Sequence, residues 1–108
     1  MTVTDVFSLL GFAARSRQLV SGEEMTLRAI RTRSAGLVIL TEDAGNNMAK
    51  KITDKCKYYQ VPLVVCFDRN QLGKAIGKEA RTAIAVTSPG FVKSIREALG
   101  EIQGVSAF

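Results

Sequence analysis

Two runs of this chain, Leu37-Val38-Ile39-Leu40 and Val61-Pro62-Leu63-Val64-Val65-Cys66-Phe67, carry no charged side chain, and they constrain the fold more than any other feature. A strand with one wet face alternates apolar and polar residues, so continuous apolar runs of this length read as strands covered on both faces. The cover comes from the stretches between them. Val3, Val6, Phe7 and Leu10 recur at helical spacing over residues 3–14, and a second helix is expected over 23–33. A third follows the polar turn at Asn46 and runs to Tyr59, a short fourth is capped by Asp68 and ended by Gly77, and a fifth begins at Ser88-Pro89 with Phe91, Val92, Ile95 and Leu99 on its apolar stripe. Residues 18–21 and the alanine-containing run 83–87 read as further strands, the latter a weak one. Two caps are read locally: Ser21-Gly22-Glu23-Glu24 fits a capping box, and Asn46 fits the N-cap of the third helix. Helices alternating with strands predict an α/β protein, a three-layer α/β/α sandwich around a small mixed sheet of about four strands.

The 108 residues suit one domain spanning 1–108, with no linker, repeat or low-complexity segment and a weakly patterned tail, 100–108, that is expected to fray. No basic n-region with an apolar stretch opens the chain, and no apolar run approaches the roughly 20 residues of a membrane span, so no membrane partner and a cytoplasmic location are expected.

Several chemistries are excluded by what is missing. The chain has no histidine, which removes Ser/His/Asp and Cys/His triads and every histidine-based metal site. Two cysteines, Cys56 and Cys66, are too few for a disulfide scaffold and too far apart for a CxxC motif, and both read as reduced, structural thiols. Neither glycine-rich phosphate motif occurs; the nearest imitation, Leu72-Gly73-Lys74-Ala75-Ile76-Gly77-Lys78, lacks the hydroxyl residue that should follow. No cofactor and no small-molecule substrate are therefore expected. Glu42 and Asp43 directly follow a buried strand, where ligands of open α/β sheets bind, and could hold Mg²⁺ or act as acid and base; the plainer reading is two acids favouring a helix start.

Fifteen Lys and Arg against ten Asp and Glu leave a net charge of +5, which favours an acidic partner, nucleic acid first. Arg15 and Arg17, Arg28 and Arg31, and Lys74, Lys78 and Arg81 occupy positions a sandwich could gather at one end, where phosphate neutralisation is their common use. The plain alternative is a solvated surface, with Glu24 and Arg28 as an ion pair four residues apart. Aromatic residues make up only 6% and tryptophan is absent, so a base-stacking platform is poorly supplied and an RNA read by its shape fits better.

The order of these motifs resembles the ribosomal protein family whose archaeal type member is L-seven-Ae, and most closely its small bacterial members of YlxQ type. The resemblance rests on Gly22 opening the second helix with Arg28 six residues on, on 35–44 (Ala-Gly-Leu-Val-Ile-Leu-Thr-Glu-Asp-Ala), on Cys56 through Leu63, and on Leu72-Gly73-Lys74-Ala75. It implies binding of kink-turn RNA through a Gly-x-Asn-Glu-x-x-Lys signature whose Asn and Glu contact tandem G·A pairs. Here that signature reads Gly22-Glu23-Glu24-Met25-Thr26-Leu27-Arg28, with Glu24 at the Asn position and Met25 at the Glu position. An ionised Glu24 supplies no amide donor, and Met25 accepts only weakly. The second contact loop corresponds to Lys78-Glu79-Ala80-Arg81-Thr82, where Arg81 replaces a small apolar residue and adds a cation. The resemblance thus implies a non-catalytic protein, expected to act as a monomer, that docks structured RNA, kink-turned or looped, with ribosomal RNA as the expected source, on Gly22, Glu23, Glu24, Met25, Arg28, Arg31, Arg15, Arg17, Glu42, Asp43, Lys74, Lys78, Ala80, Arg81 and Thr82. A protein-interaction adaptor on the same fold, and a metal-dependent enzyme using Glu42 and Asp43, are the alternatives.

Overall fold

The computed structural model describes residues 2–100 and 106–107. Its first helix, α1 (Val3–Arg15), is closed at the N-terminus by a capping box in which the Thr2 hydroxyl accepts from the Asp5 N–H and the Asp5 carboxylate accepts from the Thr2 N–H. The chain then alternates as expected through β1 (Leu19–Ser21), α2 (Glu23–Arg31), β2 (Leu37–Leu40), α3 (Asn46–Tyr59), β3 (Leu63–Val65), α4 (Arg69–Ala75), β4 (Ala83–Val86) and α5 (Pro89–Gly100). A fifth strand, β5 (Ser106–Ala107), lies within the expected frayed tail and pairs antiparallel with β3, so the sheet has five strands rather than about four. The other tail residues after Gly100 lie outside the described residues.

The strand order is β1-β4-β2-β3-β5, with β2 and β3 parallel and every other pair antiparallel. Side chains of a strand alternate faces, and that alternation sorts the core into two halves. Leu37 and Ile39 of β2 with Ile84 and Val86 of β4 pack against Val6 and Leu10 of α1, Leu72 of α4 and Ile95 of α5. Val38 and Leu40 with Ala83 and Ala85 pack against Leu27 and Ile30 of α2 and Ile52 and Cys56 of α3. One face therefore carries three helices and the other two, which is the expected sandwich.

Four local expectations are corrected. β4 is not a weak strand: all four of its residues are buried and it pairs on both sides, with β1 and with β2. Its alanines lowered the strand signal because they face α2, where small side chains let the helix lie close to the sheet. Ser21 does not cap α2. It is the last residue of β1, paired with Ile84, and the N-cap is Gly22 at φ 94° without a side-chain bond. Likewise Gly45, not Asn46, precedes the first turn of α3, again without a side-chain cap. The second helix stops at Arg31, short of residue 33, because Thr32 turns its hydroxyl back to the Arg28 carbonyl at 2.9 Å and Arg33 enters the left-handed region at φ 62°. The Asp68 cap of α4 holds and is reciprocal, with Gln71 returning its side chain to the Asp68 N–H.

Candidate nucleic-acid interface

Strand direction decides what meets what. β1, β2 and β3 all end, and β4 begins, at one end of the sandwich; α2, α3 and α4 start there. That end is built around Gly22. Its N–H donates to the Ala83 carbonyl at 2.9 Å, which ties the start of α2 to the start of β4, and its φ of 94° is one that a side-chain-bearing residue adopts only under strain. A Cβ on Gly22 would meet nothing within 4 Å, so the requirement is conformational and the space in front of it is open.

Beyond Gly22, the first turn of α2 presents Glu23, Glu24 and Met25 to solvent, with Met25 43% exposed. Arg28 is exposed one turn further on. Glu24 and Arg28 do not pair with each other: the ion pairs among the described residues are Lys50–Asp54, Lys51–Glu23 and Arg69–Asp43. Glu23 instead meets Lys51 of α3 at 3.5 Å. Both Glu24 and Arg28 thus keep their charges available to a partner.

The 78–82 loop lies beside this turn. The Arg81 guanidinium donates from Nε to Ser21 Oγ at 3.4 Å and from a terminal nitrogen to the Ala80 carbonyl at 2.9 Å, so it stands half-buried next to the start of α2. Thr82 bridges to α3, its hydroxyl 3.0 Å from the Met48 sulfur, and its carbonyl accepts from the Thr41 N–H at 2.9 Å. The loop is pressed against α4 at Gly73, where a Cβ would stand 1.9 Å from the Glu79 carbonyl oxygen; only glycine permits that approach. Lys78 and Ala80 are exposed on the loop, and Gly77 turns into it at φ 73°.

The Glu42-Asp43 turn sits at the same end but is engaged from within. Asp43 accepts from the Arg69 backbone N–H at 3.1 and 3.3 Å and from Arg69 Nε at 3.2 Å, while a terminal Arg69 nitrogen reaches the Asp43 carbonyl at 2.6 Å. The nearby Thr41 hydroxyl, short of full hydrogen-bond geometry with any partner, and the Arg69 donors outweigh burial and hold the Asp43 carboxyl below its usual range. A carboxylate so occupied is a poor metal ligand, and among the described residues no three Cys, Asp or Glu side chains come together as a metal site would need. Arg69 is the site-end cation that the sequence did not mark, since its partner is 26 residues away. Nothing in the local pattern signals that pairing.

Four of the expected contact residues lie elsewhere. Arg15 stacks 4.8 Å over the Phe12 ring and lines, with Lys74, a groove of about 540 Å³ on the outer flank between α1 and α4. Arg17 precedes β1, whose neighbouring Gln18 carbonyl accepts from the Thr87 N–H beyond the far end of β4, and Arg31 closes the far end of α2. Both therefore stand at the opposite end of the sandwich from Gly22. Cys56 and Cys66 are buried in the two halves of the core, and burial pushes their thiols up to about 11 and about 12, consistent with structural thiols. No helix among the described residues is long and apolar enough to cross a membrane.

A helix start and a cationic loop are held side by side at the open end of a mixed sheet in an α/β/α sandwich. The chain belongs to the ribosomal protein L7Ae/L30e/S12e/Gadd45 family, whose model matches residues 4–96. It is 50% identical over 95 residues, covering 88% of this chain and 95% of the other, to the RNA-binding protein YlxQ of Bacillus subtilis (strain 168). The Enterococcus faecium RNA-binding protein YlxQ is 37% identical over 90 residues, 83% of this chain and 86% of that one. Among solved structures, a Bacillus halodurans protein of unknown function superposes with a TM-score of 0.85 at 45% identity, covering 89% of this chain and 97% of that one. The Giardia lamblia 15.5 kD RNA-binding protein shares the fold, with a TM-score of 0.78 at 19% identity over 93% of this chain and 86% of its own. None of these names is that of an enzyme.

Proposed function

We propose that this chain is a non-catalytic RNA-binding protein that docks structured RNA, kink-turned or looped, on the end of its sandwich built by Gly22–Arg28 and the 78–82 loop. The observation that carries this reading is the juxtaposition of the solvent-facing start of α2 with Arg81, beside Ser21, in a family whose relatives are named for RNA binding. Arg28, Lys78 and Arg81 neutralise phosphates; the Gly22 turn leaves room for a nucleotide to approach the helix start. Glu24 and Met25 read base edges less well than an amide and a carboxylate would, so charge and shape make up more of the affinity than G·A-pair contacts do. Ribosomal RNA is the natural target on this reading, the protein acts as a monomer, and the place of action is the cytoplasm.

The test is binding to a kink-turn RNA, to the same RNA with its G·A pairs replaced, and to an unrelated hairpin, each at several salt concentrations. The expected result is salt-dependent binding with a preference for the bent RNA. Absence of binding to all three at low salt would overturn the reading in favour of the protein adaptor.

A further inference from the structure

The end of the sandwich opposite Gly22 carries a second concavity, a cleft of about 850 Å³ between the segment leading into β2 and the first turns of α5. Its floor is apolar, formed by Gly36, Pro89 and Val92, and its rim carries Arg33, Lys93 and Arg96 against the single carboxylate of Glu97. Arg17 and Arg31, which the sequence suggested for the other end, also stand at this one, so the far end is the more cationic of the two.

The cleft is preformed. A Cβ on Gly36 would lie 2.8 Å from Val92 Cγ2, so strand and helix touch along the floor. The wall is pinned by the Ser34 and Ala35 N–H groups, which both donate to the Ala29 carbonyl, at 3.0 and 3.1 Å. Arg33 is held at φ 62° with its guanidinium 5.4 Å from the Tyr59 ring. Cations displayed on a rigid wall lose less freedom when a partner arrives.

The lining selects the occupant. A nucleic-acid backbone would use the cations and leave the apolar floor unmatched, and no residue lining the cleft is aromatic, so a base has no ring to stack on. A peptide with aliphatic side chains set between carboxylates matches both features: its anchors cover Gly36, Pro89 and Val92 while its acids meet the rim. We propose that this cleft binds an acidic, aliphatic-anchored peptide segment of a partner protein. The proposal is independent of the RNA reading. Thr82 and Thr87 mark the two ends of β4, separated by roughly 17 Å of extended chain, far enough for both ends to be occupied together.

The test uses the full chain, labelled with ¹⁵N, and three probes: a synthetic peptide of alternating Asp and Leu, the same peptide with Ser for Leu, and an oligouridylate. With the Asp/Leu peptide, the amides of Gly36, Val92 and Arg96 should shift while those of Gly22 and Thr82 stay in place. The Ser peptide should bind about tenfold more weakly, and so should the Asp/Leu peptide to the Lys93→Glu, Arg96→Glu double variant, whose circular dichroism should match the parent. Val92→Ala leaves the charge alone and should weaken only the Asp/Leu peptide. No shift at millimolar peptide, equal binding of the Ser peptide, or an oligouridylate that moves the same amides more strongly would each overturn the proposal.

Discussion

Two acidic pairs follow strands at the same end of this molecule, Glu23-Glu24 after β1 and Glu42-Asp43 after β2, and they are used in opposite ways. Asp43 is clamped by Arg69 through backbone and side chain, so the second turn is satisfied by its own protein. Of the first pair only Glu23 finds an ion-pair partner among the described residues, at 3.5 Å and with both side chains substantially exposed, while Glu24 is exposed along with Met25 and Arg28. What a carboxylate can do is thus set by the donors that the topology brings to it. The turn that could have held a metal has its Asp43 engaged by Arg69, and the start of α2 leaves Glu24 and Met25 open to solvent.

The comparison breaks most severely where the open region is supported. Gly73→Ala places a methyl group into the Glu79 carbonyl, backbone against backbone, with no flexible side chain to yield. We expect a loss of about 3 kcal/mol in urea unfolding, with RNA binding falling as the 78–82 loop is displaced. A loss within experimental scatter would mean that the loop does not lean on α4.

The next effect sharpens the contrast. If the start of α2 faces bases, then Glu24→Asn with Met25→Glu supplies the amide donor and carboxylate acceptor that the present residues lack. Binding to an intact kink-turn should tighten by about thirtyfold, or about 2 kcal/mol, with little change for the RNA whose G·A pairs are replaced. Equal gain on both RNAs would show that these two positions do not read the pairs.

The layered fold was legible because its signals are local and redundant: continuous apolar runs for the buried strands, period-3.6 patterns for the helices, Asp68 as a cap, Pro89 at a first helical position. The strand with the weakest signal, β4, is central for the same reason it was undervalued, since Ala83 and Ala85 make room for α2. The site was legible only in part. Gly22, Arg81 and Thr82 do come together, while Arg28 stands in the last turn of α2 and Arg17 and Arg31 go to the far end, because which end a residue reaches depends on strand direction and pairing. Ser21 was misread as a cap for a related reason: its hydroxyl accepts from Arg81, 60 residues away, and no local pattern records that.

A smaller effect separates the two ends. Arg28→Ala and Arg81→Ala should each weaken RNA binding by about fivefold, near 1 kcal/mol, and reduce the slope of log affinity against log salt by about 1. Arg17→Ala removes the same charge from the far end and should leave both quantities unchanged. If all three variants behave alike, binding is a matter of net charge and the interface has no location.

The smallest effect tests the closed turn. Because Thr41 and Arg69 hold the Asp43 carboxyl below the usual value of 3.8, its ionised form favours the folded state. That contribution is fully present above the unfolded value, near pH 4, and is lost as the pH falls through the still lower folded value. Asp43→Asn keeps the shape and removes the charge, so unfolding midpoints should drop modestly at neutral pH and the difference from the parent should shrink toward zero below pH 3.8. RNA affinity should be unaffected, because Asp43 points its oxygens at Arg69 and not at the open helix start. A variant that kept its stability but lost RNA binding would move Asp43 from the closed class to the open one, and with it the boundary of the interface.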